Sequence, residues 1–247
     1  MGKRIYGKEV DIDIQQVKKF WDERSKKYDD KHPYVTVKFN DNNPEFAEKW
    51  DKYEKVQVLP HMKINEDSRV LDIGCGIGRL TEVIVEECKY YMGVDFSSDL
   101  IEIAKSRIYM HSECEFLAAA FQDINRDNEV FRNIERFNKV IIAGVLLYIN
   151  DRDINECLNN LLDIIDKKCT IYISSPVALK DRLTLSDWES DQFNIEYNAI
   201  YRSIEEYEIL FQPLLDSGFK IIHKDFFLRD DNSHSDTARH YFILNRN

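Results

Sequence analysis

The chain has 247 residues, 43% of them apolar and 32% charged, with only 8 glycines and 5 prolines. That is enough chain to bury a full core without disulfide or metal staples, and the composition fits neither a collagen-like nor a disordered chain. A net charge of −11, from 34 basic and 45 acidic residues with no local basic patch, argues against a nucleic-acid partner.

The longest apolar run, residues 140–149, is about half of what a bilayer crossing needs, and the first residues lead into polar sequence rather than an export signal. No membrane partner is expected. Cys75, Cys88, Cys114, Cys157 and Cys169 are scattered without a C-x-x-C pair, which points to reduced thiols in a cytoplasmic setting and to no metal site.

In chain order, Ile14, Val17, Phe20, Trp21 and Tyr28 recur at helical spacing, followed by Phe46, Trp50, Tyr53 and Val56. The second set opens on Asn43-Pro44-Glu45, a capping residue, a proline at the first helical position and an acid in the first turn. From Arg69 the rhythm changes to short apolar runs separated by helical stretches. The runs, expected as strands, are 70–73, 90–94, 115–119, 139–143, 170–174, 219–226 and 241–244. Between them lie helix patterns, one opened by Asp151 and one by the capping box Ser203-Ile204-Glu205-Glu206, which stops at Gly218. Alternating strands and helices predict a mostly parallel sheet covered on both faces. The polar stretch 229–238 makes the last two strands an antiparallel hairpin. The expected organisation is an N-terminal helical cap (1–68), an α/β core (69–247) and an insertion (176–202) on the acceptor side.

Three of the eight glycines fall in Val70-Leu71-Asp72-Ile73-Gly74-Cys75-Gly76-Ile77-Gly78. Glycines at a turn from a first strand into a helix allow positive φ and a close approach of backbone to ligand. Counting G-x-G-x-x-G from Gly74 puts Arg79 at the last glycine, so the nicotinamide fingerprint is not met. The second strand ends in Asp95, about 20 residues beyond the glycines, where an acid can take both hydroxyls of a ribose.

The pattern strand-Asp-x-Gly-x-Gly-x-Gly resembles motif I of the class I S-adenosylmethionine (SAM)-dependent methyltransferases, and the likeness runs from Arg69 to about Ile149. It implies a Rossmann-like seven-stranded sheet with an antiparallel final hairpin, and SAM as methyl donor, leaving S-adenosylhomocysteine (SAH). By the same likeness, Asp72 and the loop of Gly74, Cys75, Gly76 and Gly78 hold the methionine part. Asp95, with Phe96 beside it, holds the ribose. At the adenine-reading acid the chain has Ala120; Gln122 or Asp123 stands in for it, or Asp123 only starts a turn, and Phe121 lies against the ring. The fourth strand ends in Ala143-Gly144-Val145, which lacks the acceptors that nucleic-acid and amide N-methyltransferases use for a planar amine.

The resemblance further implies a small soluble acceptor; because a tyrosine such as Tyr148 is a weak base and no histidine is firmly placed beside it, an oxygen that needs little deprotonation is favoured as the methylated atom. Tyr148 stands where many small-molecule methyltransferases place a histidine, and either faces the acceptor or packs as a helix-edge aromatic. The opening Trp21-Asp22-Glu23-Arg24-Ser25-Lys26-Lys27-Tyr28 resembles the W-x-x-R-x-x-x-Y start of many such enzymes, with Tyr28 as a lid over SAM. Trp188, Phe193, Tyr197, Tyr201 and Arg202 form an aromatic set with a cation at its end in the insertion, and Arg24, Lys180, Arg182 and Arg202 are the candidate cations for an anionic acceptor. His32 and His240 are the candidate bases. Stand-alone bacterial enzymes of this kind methylate sugars, surface-polysaccharide precursors, amino acids or antibiotics, so the acceptor stays open. Other readings are a non-catalytic SAM-binding partner subunit and a nucleic-acid methyltransferase.

Overall fold

The computed structural model describes residues 2–38, 41, 43–108, 111–189, 196–227 and 236–247. The elements run β1 (Lys3–Tyr6), α1 (Ile14–Ser25), α2 (Val35–Lys38) and α3 (Pro44–Tyr53). The last is prolonged by a wide turn, Glu54–Val58, and a tight one, Leu59–Met62. Then come β2 (Arg69–Ile73), α4 (Thr81–Ile84), β3 (Tyr90–Asp95), α5 (Ser98–Arg107), β4 (Cys114–Ala118), α6 (Glu129–Arg132), β5 (Phe137–Ala143) and α7 (Asp151–Ile164). The chain ends with β6 (Ile165–Ala178), β7 (Leu183–Glu189), β8 (Glu196–Tyr201), α8 (Ile204–Leu210), α9 (Gln212–Asp216), β9 (Lys220–Phe226) and β10 (Thr237–Arg246).

Seven strands form the main sheet in the order β4-β3-β2-β5-β6-β10-β9. All pairs from β4 to β6 are parallel, and β10 runs antiparallel to both β6 and β9, the expected final hairpin. Successive strand residues point to opposite faces. Leu71, Met92, Ile142 and Ile173 therefore enter one core with α7, α8 and α9, while their neighbours Val70, Tyr91, Ile141 and Tyr172 enter the other. Burial on both sides is why these strands read as unbroken apolar runs.

The local signals act as expected at several helix starts. The Asn43 side chain accepts from Phe46 N–H, and Ser203 and Glu206 cap each other reciprocally. Asn150, just before α7, is used differently: its side chain clamps the main chain of Ile12 from both sides, at 2.9 and 3.1 Å.

The segments outside the core are arranged otherwise than the sequence suggested. The cap is not purely helical, because its first residues form β1, which pairs with β7 of the insertion. Strands β1, β7 and β8 make a second, three-stranded antiparallel sheet, so cap and insertion are one structure. With α1 it packs as a third apolar cluster containing Val17, Phe20, Trp21, Leu100, Leu147, Tyr148, Leu183 and Tyr197. The stretch from α3 to Met62 does not belong to this roof. Val58, Leu59 and Met62 cover one face of the main sheet.

Candidate functional site

The glycine loop leaves β2 with Gly74, Gly76 and Gly78 all at positive φ, +75°, +55° and +74°. The amides of Gly74 and Cys75 both donate to Val94 O, at 2.7 and 3.1 Å, which ties the loop to the end of β3. A Cβ on Gly74 would sit 2.2 Å from Val145 Cγ2, so the loop is pressed against the chain leaving β5. Arg79, which broke the nicotinamide pattern, is buried and pairs with Asp51 at 3.1 Å and Glu54 at 2.7 Å, bolting the loop to the α3 segment.

A cavity of about 630 Å³ lies at the carboxyl ends of the parallel strands, the position expected for ligands in an open α/β sheet and a size typical of small-molecule sites. At one end it is lined by Gly74, Cys75, Gly76, Asp95, Phe96 and Ala143, and further along by Phe121, Gln122 and Asp123. Asp95 takes the amides of Gly76 at 3.0 Å and Ser97 at 2.9 Å, which leaves lone pairs on both oxygens for a diol. Burial pushes its carboxyl up to about 6, and the two amide bonds pull the other way. Ser97, not Asp95, caps α5. Asp123 accepts from Ala120 N–H at 2.9 Å, so it does cap a turn, while still lining the cavity.

The other end is aromatic. Tyr148 stands edge-on to Trp21 and Tyr197, and its hydroxyl meets that of Tyr197 at 3.1 Å. Tyr201 donates to Tyr197 at 3.3 Å. All four rings, with Trp188, line the cavity; Phe193 lies outside the described residues. Burial pushes the three phenols up, so their hydroxyls stay protonated. Tyr148 thus both packs and faces the cavity.

Several expected site residues are elsewhere. Arg24 is fully buried and holds the carbonyls of Thr36 and Val35 and the carboxylate of Asp41. Arg182 grips Asp151 with two nitrogens and also reaches Glu206. Arg202 holds the same Asp151 together with the carbonyls of Leu146 and Ile149, stapling the turn that carries Tyr148. None of the three lines the cavity. These arginines are internal crosslinks because each found an acid or carbonyl far away in sequence, a pairing invisible in the linear chain.

Tyr28 hydrogen-bonds to Asp30 and Arg107 outside the cavity rather than closing over it. His32 is half-exposed and paired with Glu48 at 3.0 Å. His240 is buried between Phe226 and Phe242, and burial pushes its imidazole down to about 4. Neither histidine lines the cavity. Asp72 and Gly78 also stand behind it: Asp72 accepts from Tyr91 at 2.6 Å, and Gly78 packs against α5.

Sequence reasoning missed Arg239 and Trp50 as site residues; both line the cavity. The guanidinium lies over the Trp50 indole, 4.1 Å from the ring centre. The helical spacing of Phe46, Trp50, Tyr53 and Val56 and the Asn43-Pro44-Glu45 start gave the Trp50 helix but not its role, and nothing local singled out Arg239. Among the described residues no cluster of three metal-ligating side chains occurs, and no helix is long and apolar enough to cross a membrane.

A family model described as a methyltransferase domain matches residues 64–224, about two thirds of the chain. The chain belongs to this family of class I SAM-dependent methyltransferases. Its glycine loop and Asp95 fit that donor: the backbone is open to the cavity and the acid keeps free acceptor positions. A probable cobalt-precorrin-6B C(15)-methyltransferase (decarboxylating) from Methanocaldococcus jannaschii is 24% identical over 146 residues, 58% of this chain and 70% of that protein. Phosphoethanolamine N-methyltransferase 3 of Arabidopsis thaliana is 26% identical over 45% of this chain, which spans only 22% of that protein.

Among solved structures, the Haemonchus contortus phosphoethanolamine N-methyltransferase 1 complex with phosphoethanolamine and SAH superposes with a TM-score of 0.72 at 18% identity. It covers 94% of this methyltransferase, which spans about half (48%) of it. Magnesium protoporphyrin IX methyltransferase from Synechocystis PCC 6803 with bound SAM gives 0.63 at 14% identity, over 97% of this chain and 100% of that one.

Proposed function

We propose that this methyltransferase passes the methyl group of SAM to an oxygen of a small acceptor seated against Tyr148, Tyr197 and Tyr201. The observation that carries the reading is continuity: one cavity joins Gly74, Gly76 and Asp95 to these tyrosines. Bound SAM supplies a methyl group made electrophilic by its positively charged sulfur. On the protein's side, the amides around Gly74 to Gly76 take the methionine part, Asp95 the ribose, and the segment of Phe121, Gln122 and Asp123 the adenine.

Most of the rate enhancement then comes from alignment of the accepting atom with the methyl carbon. The roof of α1 and the three-stranded sheet excludes water from that point. The phenols, held protonated, orient the acceptor as donors and are poor bases. This supports an oxygen that is already ionised, or needs little deprotonation, over a protonated amine. The net charge of −11 supports a small acceptor over a nucleic acid. Nitrogen methylation is the second reading, favoured by the two phosphoethanolamine N-methyltransferases among the similar proteins.

The test is a screen for SAH release over small carboxylates, phosphate esters, sugars and amines, with mass spectrometry of the methylated product. An O-methyl product supports the proposal. An N-methyl product replaces it with the second reading, and no turnover by any class removes both.

A further inference from the structure

Four arginines of this protein are buried beside the cavity or its supports and a fifth, Arg239, is partly buried there; the four are compensated. Arg24, Arg79, Arg182 and Arg202 each pair with one or two carboxylates. Arg239 is the exception: among the described residues it forms no ion pair. Its one hydrogen bond among those residues is a long one, 3.5 Å, to the carbonyl of Lys38, although a guanidinium has five N–H donors.

Its place follows from topology. Because β10 runs antiparallel inside an otherwise parallel array, its first residues lie at the carboxyl ends of the other strands, with Arg239 opposite Pro176 of β6. There it lines the cavity and stacks on Trp50, whose indole Nε1 is buried and has no hydrogen-bond partner among the described residues. The acids that line the cavity, Asp95 and Asp123, are both at the nucleoside end. Glu54, an interior acid whose charge acts on Arg239, is already shared by Lys38 and Arg79. Other polar groups lining the cavity include the hydroxyls of Tyr148, Tyr197 and Tyr201, together with Arg4, Lys18 and Thr237.

A withdrawn cation with unused donors is costly unless an anion meets it. We propose that Arg239, braced by Trp50, is the anchor for an oxyanion carried by the acceptor, a carboxylate or a phosphate monoester, with the tyrosine hydroxyls as further donors. The planar fork of arginine matches either group in a two-point contact. The anchor sets which acceptors enter. It rests on the methyl-transfer reading, because it assigns this end of the cavity to the acceptor.

The experiment uses protein saturated with SAH and two probes, inorganic phosphate followed by ³¹P line broadening and acetate followed by proton saturation transfer. SAH affinity is measured calorimetrically on the same samples. At least one anion is expected to bind wild type, at least tenfold more weakly to Arg239→Gln, and with intermediate affinity to Arg239→Lys, which keeps the charge but loses the fork. SAH affinity is expected to stay unchanged in both variants, which also reports that they are folded. The anion that binds identifies the group carried by the acceptor. Binding of neither anion to SAH-loaded wild type, or equal binding to wild type and both variants, would overturn the proposal. Failure of wild type to bind SAH would instead remove the methyl-transfer reading beneath it.

Discussion

Tyr91 donates its phenol proton to Asp72 at 2.6 Å and in turn accepts from Thr81 at 2.8 Å, a buried chain behind the glycine loop. Burial pushes the Asp72 carboxyl up to about 7, against the pull of Tyr91 and Arg79, and that of Asp95 up to about 6. Both native values lie above the unfolded one. The native state therefore holds protons that the unfolded chain has released, and stability falls as pH rises through roughly 4 to 7, by up to about 1.4 kcal/mol per pH unit for each group. His240, pushed down to about 4, works the other way and costs stability as pH falls below its unfolded value of about 6.5. Comparison with Asp72→Asn isolates one component. The variant should gain stability relative to wild type between pH 5 and pH 7.5, measured by urea unfolding, and a constant difference would refute the assignment.

Asp95 has free acceptor positions facing the cavity and is the candidate ribose ligand. Replacement by Ala should weaken SAM by about 2–3 kcal/mol, the scale of hydrogen bonds to a charged group, or roughly 30- to 150-fold. Unchanged affinity by titration calorimetry would remove this assignment.

Gly74 and Gly144 share nearly the same backbone, φ +75° and +76°, but a Cβ on Gly74 would meet Val145 Cγ2 at 2.2 Å, whereas Gly144 has nothing within 4 Å. Gly144→Ala should cost only backbone strain, about 1–2 kcal/mol. Gly74→Ala adds overpacking worth about 1–3 kcal/mol. The Val145→Ala change should recover part of that second amount in the Gly74→Ala background and none in Gly144→Ala. Equal melting temperatures for the two alanine variants would contradict the contact.

What could be read from the sequence was local. The helix caps at Asn43 and Ser203 act within three residues, and the glycine loop and Asp95 meet within one strand-helix-strand repeat, so their spacing carries their geometry. Arg24, Arg182 and Arg202 looked like cations on closing segments, but their partners lie 17, 31 and 51 residues away. Arg239 could not be singled out because its position depends on β10 lying between β6 and β9. The small sheet was missed for the same reason, since Lys3 to Tyr6 of β1 pair with Ser186 to Leu183 of β7, far along the chain.

Arg202 is predicted to act on stability before it acts on substrate. Arg202→Met would leave the carbonyls of Leu146 and Ile149 without their donor and Asp151 with Arg182 alone. Removing one partner of a buried ion pair costs about 3–5 kcal/mol. The expected result is a lower melting temperature with or without acceptor. A variant of wild-type stability with a raised KM would make Arg202 a substrate ligand after all.

Tyr148 separates positioning from base catalysis. Its hydroxyl is buried, shares a hydrogen bond with Tyr197 and is pushed further from neutrality rather than toward it. A group in that state does not ionise between pH 6.5 and 9, so on the proposed reading its part is to orient the acceptor, not to take its proton. Tyr148→Phe should keep SAH affinity and lower kcat/KM by no more than about tenfold, the loss of one neutral hydrogen bond. The shape of the pH–rate profile should be the same in variant and wild type. Disappearance of an ionisation between pH 6.5 and 9 in the variant would make Tyr148 the base, and would reopen the choice between an ionised oxygen and a protonated acceptor.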